Sequence, residues 1–324
     1  MMSFASIFPS IKRFRLLIIL VLITALATVA CNPSNYQTKA AQVPQMIVAV
    51  LGEPSTFNPA LNESAYSVFG PLYDSLINEN PLTNELEPGL AESWQVLDNG
   101  QRVVITLKKG LKWSDGKPMT ADDIVFSYND IYLNPKIPTP TKDSLRINER
   151  GDTPKVRKID NLKVEFTVPE PFAPFLRWVG GITILPAHAL KESVNTTDSS
   201  GNPKFLTMWT TGTDPKKIIG NGPYVMETYI PSQRVIFRRN PYYWRKDAQG
   251  NPQPYIERLI FQIIESTDNQ LISFRSGQLD NLEVPPEGFS LLKREEKRAN
   301  FKIYNGGPDT STTFISFNLS KAKN

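Results

Sequence analysis

The sequence predicts a mixed α/β (α+β) fold built from two or three compact units. Length points that way first, since 324 residues exceed one ordinary domain of about 150. Patterning agrees, because strand-like and helix-like stretches mix without the regular alternation of a doubly wound parallel sheet. Composition completes the case: 40% hydrophobic and 21% charged residues suit a globular chain, and 27 Pro imply many turns and long connections.

Residues 1–31 stand apart from the fold. Lys12, Arg13 and Arg15 precede an uncharged apolar run, Leu16 to Ala30. Its 15 residues are short for a bilayer-spanning helix of about 20 but suit the apolar region of a signal peptide. The run closes on Ala27-Thr28-Val29-Ala30 and then Cys31, the sole cysteine. Small residues before a lone Cys resemble a bacterial lipobox, with Thr28 where that pattern usually has Leu. The resemblance implies cleavage before Cys31 and a diacylglycerol on its thiol; a conventional signal peptide or an uncleaved anchor are the alternatives. Residues 32–45 are polar and aperiodic, as a tether is. Setting 1–31 aside leaves 33 basic against 32 acidic residues, so the leader supplies most of the formal +4.

The elements then follow in order. Met46 to Leu51 is a short continuous apolar run, the pattern of a strand buried on both faces. Ala65, Val68, Phe69, Leu72, Tyr73 and Leu76 have helical spacing, interrupted by Pro71. Trp94–Leu97 and Arg102–Leu107 flank Asp98-Asn99-Gly100, a hairpin signal. Thr120-Ala121-Asp122-Asp123 opens a helix with a capping box, and Ile124, Tyr128 and Ile131 share its face. Residues 134–158, rich in Pro, Lys and Arg, read as a long surface connection. Leu162–Val168 alternates like a strand with one wet face, and Val235–Phe237 and Leu259–Ile264 add two more strands. Ser266 caps a short helix that Gly277 closes. No internal repeat stands out.

Catalytic chemistry is hard to place on this chain. One Cys and one His exclude a disulfide and a Cys/His zinc site, and neither a nucleophile elbow, a phosphate loop nor a zinc-protease helix occurs. His188 has no nucleophile signal beside it and reads as a structural residue at a helix start. Asp122 and Asp123 read as first-turn caps rather than an acid–base pair. Distant carboxylates need no local motif, so a glycosidase stays open at this point. The small net charge, with no block of five like charges, argues against a nucleic-acid partner.

Several segments read together carry a family resemblance. They are Pro54–Pro59, Leu72–Leu76, Glu87-Pro88-Gly89-Leu90-Ala91-Glu92-Ser93-Trp94, Val104–Ser127, Asn221–Tyr224, Arg239–Trp244 and Ser276-Gly277-Gln278-Leu279-Asp280. In this order they resemble the extracellular solute-binding proteins of family 5, the peptide, oligopeptide and nickel receptors of ABC importers, over residues 46 to about 320. The resemblance implies a multi-lobed, type II periplasmic-binding-protein-like fold. Residues 46–71 and 179–265 would form a discontinuous first lobe, 72–178 a second, and 266–324 the start of a third, incomplete here because family members continue further.

The resemblance also implies a binding protein rather than an enzyme, without cofactor or metal. It would be a monomer that captures peptides and delivers them to permease and ATPase subunits, held to the membrane by the lipid on Cys31. Peptide contacts would come from Glu63, Ser64 and Ala65, with Tyr224 near the cleft wall. A periplasmic lipoprotein outside transport, a chaperone or adhesin, and a non-functional fragment are the competing readings. Nickel or haem import ranks below peptide because His188 is the only histidine.

Overall fold

The computed structural model describes residues 43–63, 68–306 and 315. Cys31, Ser64 and Ala65 therefore lie outside the described residues. Among the described residues no helix is long and apolar enough to cross a membrane.

Two four-stranded sheets organise the chain, the second of them antiparallel throughout. The first has the order β1 (Gln45–Val50), β10 (Arg258–Ile263), β9 (Arg234–Arg239) and β8 (Tyr224–Ile230). The second runs β4 (Ala91–Leu97), β5 (Arg102–Leu107), β7 (Lys163–Thr167) and β6 (Lys155–Lys158). A small pair, β2 (Ile77–Glu79) and β3 (Leu86–Pro88), lies between them in sequence. One hydrophobic cluster joins Phe237 and Val235 of the first sheet to Ile105, Leu107 and Phe166 of the second, through Leu72, Trp113 and Tyr128.

Local signals in the sequence act as expected. The β4–β5 hairpin turns through Asp98, Asn99 and Gly100, all at positive φ. Thr120 caps α2 (Ala121–Val125): its hydroxyl accepts the Asp122 N–H at 3.3 Å while Asp123 Oδ2 accepts the Thr120 N–H at 2.9 Å. The helix continues as a π-helix over Phe126–Tyr132, and Ile124, Tyr128 and Ile131 are fully buried. His188, in α5 (Ala187–Asn195), which follows α4 (Phe175–Gly181), is spent structurally: its Nε2 lies 2.8 Å from Asp115 and its ring meets Trp113 edge-on.

Other expectations need correction. β1 is an edge strand and all six of its residues are half-buried rather than covered on both faces. Of the helix expected over 65–76, residues 65–67 lie outside the described residues; the rest holds one turn, α1 (Phe69–Leu72), and the chain leaves it at Tyr73, where Leu72 and Tyr73 pass close to Gly220 and Gly222. The stretch 134–158 is no bare connection: Ile137, Leu145 and Ile147 enter the core, and it holds the single turn α3 (Thr141–Ser144) and β6. On the expected wet face of β7 Lys163 is exposed, but Glu165 is buried, since Arg157 (2.5 Å) and Arg102 (3.5 Å) from the flanking strands cover its carboxylate.

A short repeat also emerges. Asp198-Ser199-Ser200-Gly201-Asn202-Pro203 and Asp247-Ala248-Gln249-Gly250-Asn251-Pro252 fold alike. In each, Asp Oδ1 accepts two backbone N–H groups, Gly sits at φ 85°, and the closing Pro bridges the residue before the Asp.

Candidate functional site

The best-built surface feature is the loop Gly52–Glu63 that follows β1. Asn58 is its anchor and is fully buried. Held in extended conformation, it accepts the Ala60 N–H on Oδ1 at 3.1 Å and starts the 3₁₀ turn Pro59–Leu61, with Pro59 at the position that needs no N–H. Its Nδ2 donates to the carbonyls of Met208 (3.4 Å) and Phe205 (3.5 Å). The Phe57 N–H and the Thr56 hydroxyl both donate to the Trp209 carbonyl, at 2.8 and 3.2 Å. Trp209 reaches this position at φ 56°, a left-handed conformation that costs a non-glycine residue about 1–2 kcal/mol. Phe57 and Ala60 add fully buried apolar surface.

A carboxylate secures the loop's other end. Glu53 accepts the Tyr229 hydroxyl, from the end of β8, at 2.5 Å and the Ser232 hydroxyl, from the turn that follows, at 2.7 Å. The Tyr229 bond, then that of Ser232, holds the Glu53 carboxyl below its ordinary value. Tyr229 packs edge-on against Phe57, and burial first, then the Glu53 bond, pushes its hydroxyl up to about 12. From this frame the chain emerges at Glu63, which is exposed. Ser64 and Ala65 follow it outside the described residues. Tyr224 is placed by a different element, the start of β8, where it is buried and its hydroxyl donates to the Ile256 carbonyl at 3.2 Å.

The motif segments converge elsewhere, around Asp74. Its Oδ2 accepts the Tyr243 hydroxyl and the Trp244 indole N–H, both at 3.1 Å; its Oδ1 accepts from Ser75 N–H (3.1 Å) and Asn78 Nδ2 (3.3 Å). Lys108 closes the cluster. Its Nζ donates to the carbonyls of Gly89 (2.6 Å) and Ala91 (2.5 Å) and lies 4.5 Å from the Trp244 ring centroid. Burial lowers the Lys108 pKa. Gly222 is required because a Cβ there would meet the Leu72 carbonyl carbon and the Tyr73 nitrogen at 2.6 Å. Asn58, Asp74 and Lys108 lie inside the family segments quoted from the sequence but were given no individual role there; the Asn-Pro dipeptide is a cap signal for the first, and Glu53 lies outside those segments.

Comparison with known proteins decides what this frame belongs to. The family model described as bacterial extracellular solute-binding proteins, family 5 Middle, matches residues 85–324. The chain belongs to this family. A probable ABC transporter-binding protein of Deinococcus radiodurans is 29% identical over 254 residues, 76% of this chain and 41% of the relative. The dipeptide-binding protein of Escherichia coli K12 is 28% identical over 298 residues, 86% of this chain and 51% of the relative. Among solved structures, the periplasmic binding protein MelB of Agrobacterium fabrum C58, in complex with stachyose, aligns with a TM-score of 0.66 and 26% identity, over 78% of this chain and 39% of that one. The chain thus spans about half or less of the length of these relatives.

Within family 5 the fold is that of the type II periplasmic binding proteins. The family's members are extracellular solute-binding proteins. The matched region begins at residue 85, so the Glu53–Glu63 loop and Asp74 lie N-terminal to it.

Proposed function

We propose that the chain is the solute-binding component of an ABC importer, capturing peptides outside the cytoplasmic membrane and presenting them to permease and ATPase subunits. Family membership supports the class of function, and the dipeptide-binding relative supports the ligand. The observation that carries the reading to a site is the Gly52–Glu63 loop: rigid at its base through buried Asn58, exposed at Glu63. Such a loop can offer backbone groups to an extended peptide without paying to order itself first.

In this reading Glu63, Ser64 and Ala65 contact the ligand and Tyr224 backs the cleft wall. Residues 46–71 and 179–265 form one lobe, 72–178 a second, and 266–324 begin a third. The leader 1–31 directs export, and a diacylglycerol on Cys31 tethers the protein to the membrane. Palmitate labelling that disappears in Cys31→Ser tests the anchor.

The test of function is calorimetric titration of the purified protein with dipeptides, a mixed oligopeptide pool and stachyose. Peptide heats that weaken about tenfold in Glu63→Ala, the loss of roughly one charge-assisted bond, are expected. Heats from stachyose with none from peptides would overturn the peptide reading in favour of an oligosaccharide, the second reading, to which the likeness to stachyose-bound MelB lends weight.

A further inference from the structure

Two passages of chain join the first sheet to the C-terminal helices α6 (Thr267–Arg275) and α7 (Pro286–Glu295), and both are pinned to β1. On the way out, the Ile264 N–H donates to the Val50 carbonyl at 2.9 Å. On the way back, after α6, the chain meets the other edge of β1 at Asp280. Its N–H donates to the Ile47 carbonyl at 2.8 Å, its Oδ2 accepts the Ile47 N–H at 2.7 Å, and Asn281 forms a parallel bridge with Val48. One residue therefore satisfies both backbone groups of Ile47. Its carboxylate stands where the carbonyl of a neighbouring strand would otherwise be.

The helical unit beyond this point is held together by its own contacts. Leu279 and Leu292 are buried apart from the main core, Phe274 meets Phe301 edge-on at 5.2 Å, and Arg275 pairs with Glu295 at 2.6 Å. Gly277, at φ 77°, ends α6 in a tight turn that delivers Asp280 to β1. We propose that Asp280 is a positioning residue, a latch that fixes how the α6–α7 unit is seated on β1. Losing it frees the edge of β1 and the seating of the unit while leaving the remaining strands of the sheet intact. The inference is independent of the ligand and goes beyond the transport reading.

Hydrogen–deuterium exchange on the purified protein, Asp280→Ala and Asp280→Asn tests it. Peptides covering 45–50 should exchange about tenfold faster in Asp280→Ala, as expected for one exposed charge-assisted bond, with β8 and β9 unchanged. Asp280→Asn should restore most of the protection, since its amide oxygen still accepts the Ile47 N–H. Unchanged exchange at 45–50, acceleration shared equally by β8 and β9, failure of Asp280→Ala to fold, or no rescue by Asn would each overturn the proposal.

Discussion

Asp74→Ala should be among the most damaging single changes outside the hydrophobic core. The substitution removes four accepted hydrogen bonds and leaves the Tyr243 hydroxyl and Trp244 indole N–H, both part-buried, without their acceptor. Each of those two bonds to an ionised acceptor contributes about 1–1.5 kcal/mol, the low end of the range for charged partners because the site is only part-buried. The longer Asn78 bond and the local Ser75 bond add roughly 0.5 kcal/mol together. Lys108 also loses an attractive charge, since Asp74 acts to raise its pKa against desolvation. The sum is about 3 kcal/mol, a large share of a total of about 5–15. Urea unfolding followed by far-UV circular dichroism measures it, with Trp244→Phe and the double variant completing a cycle. Trp244→Phe keeps the ring but deletes the donor, so the pair should be non-additive by about 1 kcal/mol at constant m-value. A loss below about 1 kcal/mol in Asp74→Ala, or additivity within about 0.4 kcal/mol, would refute the assignment of Asp74 as the hub of the motif segments.

Other substitutions separate packing from conformation. Gly222→Ala places a methyl 2.6 Å from two backbone atoms and should cost more than about 3 kcal/mol, whereas Gly250→Ala, at φ 85° with open space around it, should cost about 1 kcal/mol by the same urea assay. Thr120→Ala, which breaks the capping box of α2, should cost about 1 kcal/mol. The Glu53 carboxyl is lowered on folding, so its contribution is complete above its unfolded value of 4.5 and lost as pH falls through the depressed folded value. Tyr229 is raised to about 12, so its contribution is complete below pH 10 and lost as pH rises towards 12. Thermal melts against pH should therefore flatten at the acid end in Glu53→Gln and at the alkaline end in Tyr229→Phe.

Legibility in the sequence followed the range of the determining contact. The β4–β5 hairpin, the caps at Thr120 and Ser266, and the stop at Gly277 depend on groups within a few residues, and each was readable. The helical spacing that runs on to Leu76 was also readable but misleading at its C-terminal end, because the chain leaves the helix at Tyr73 beside Gly220 and Gly222, about 150 residues away in the chain. Buried Ile137, Leu145 and Ile147 were hidden by the Pro, Lys and Arg around them. The twin Asp-x-x-Gly-Asn-Pro loops were in plain letters, too short to register as a repeat until both were seen to close the same way. The Glu53 pairing with the end of β8 had no signal, since 176 residues separate its carboxylate from Tyr229.

The same distinction explains why the motifs reveal a family more readily than a ligand. Asp74, Lys108, Gly222, Tyr243, Trp244 and Asp280 have their polar groups bonded, or their space filled, by other parts of the chain. A ligand that used these groups would have to displace buried or charge-assisted bonds and pay for it. Such residues build a scaffold, which is consistent with relatives whose names or bound molecules differ as widely as a dipeptide and stachyose. Ligand choice must instead rest on groups that the fold leaves uncommitted. Glu63 is one by its exposure, at the end of a loop whose base is fully occupied in holding it there. A screen of ligand specificity should therefore vary the residues beyond Asn58 and leave Asn58 itself alone. If the loop contacts the ligand as proposed, Asn58→Ala should unseat it and weaken every ligand together, whereas substitutions at Glu63 should weaken one class and spare another. If Glu63 variants weakened peptides and oligosaccharides alike, ligand choice would have to be sought outside this loop.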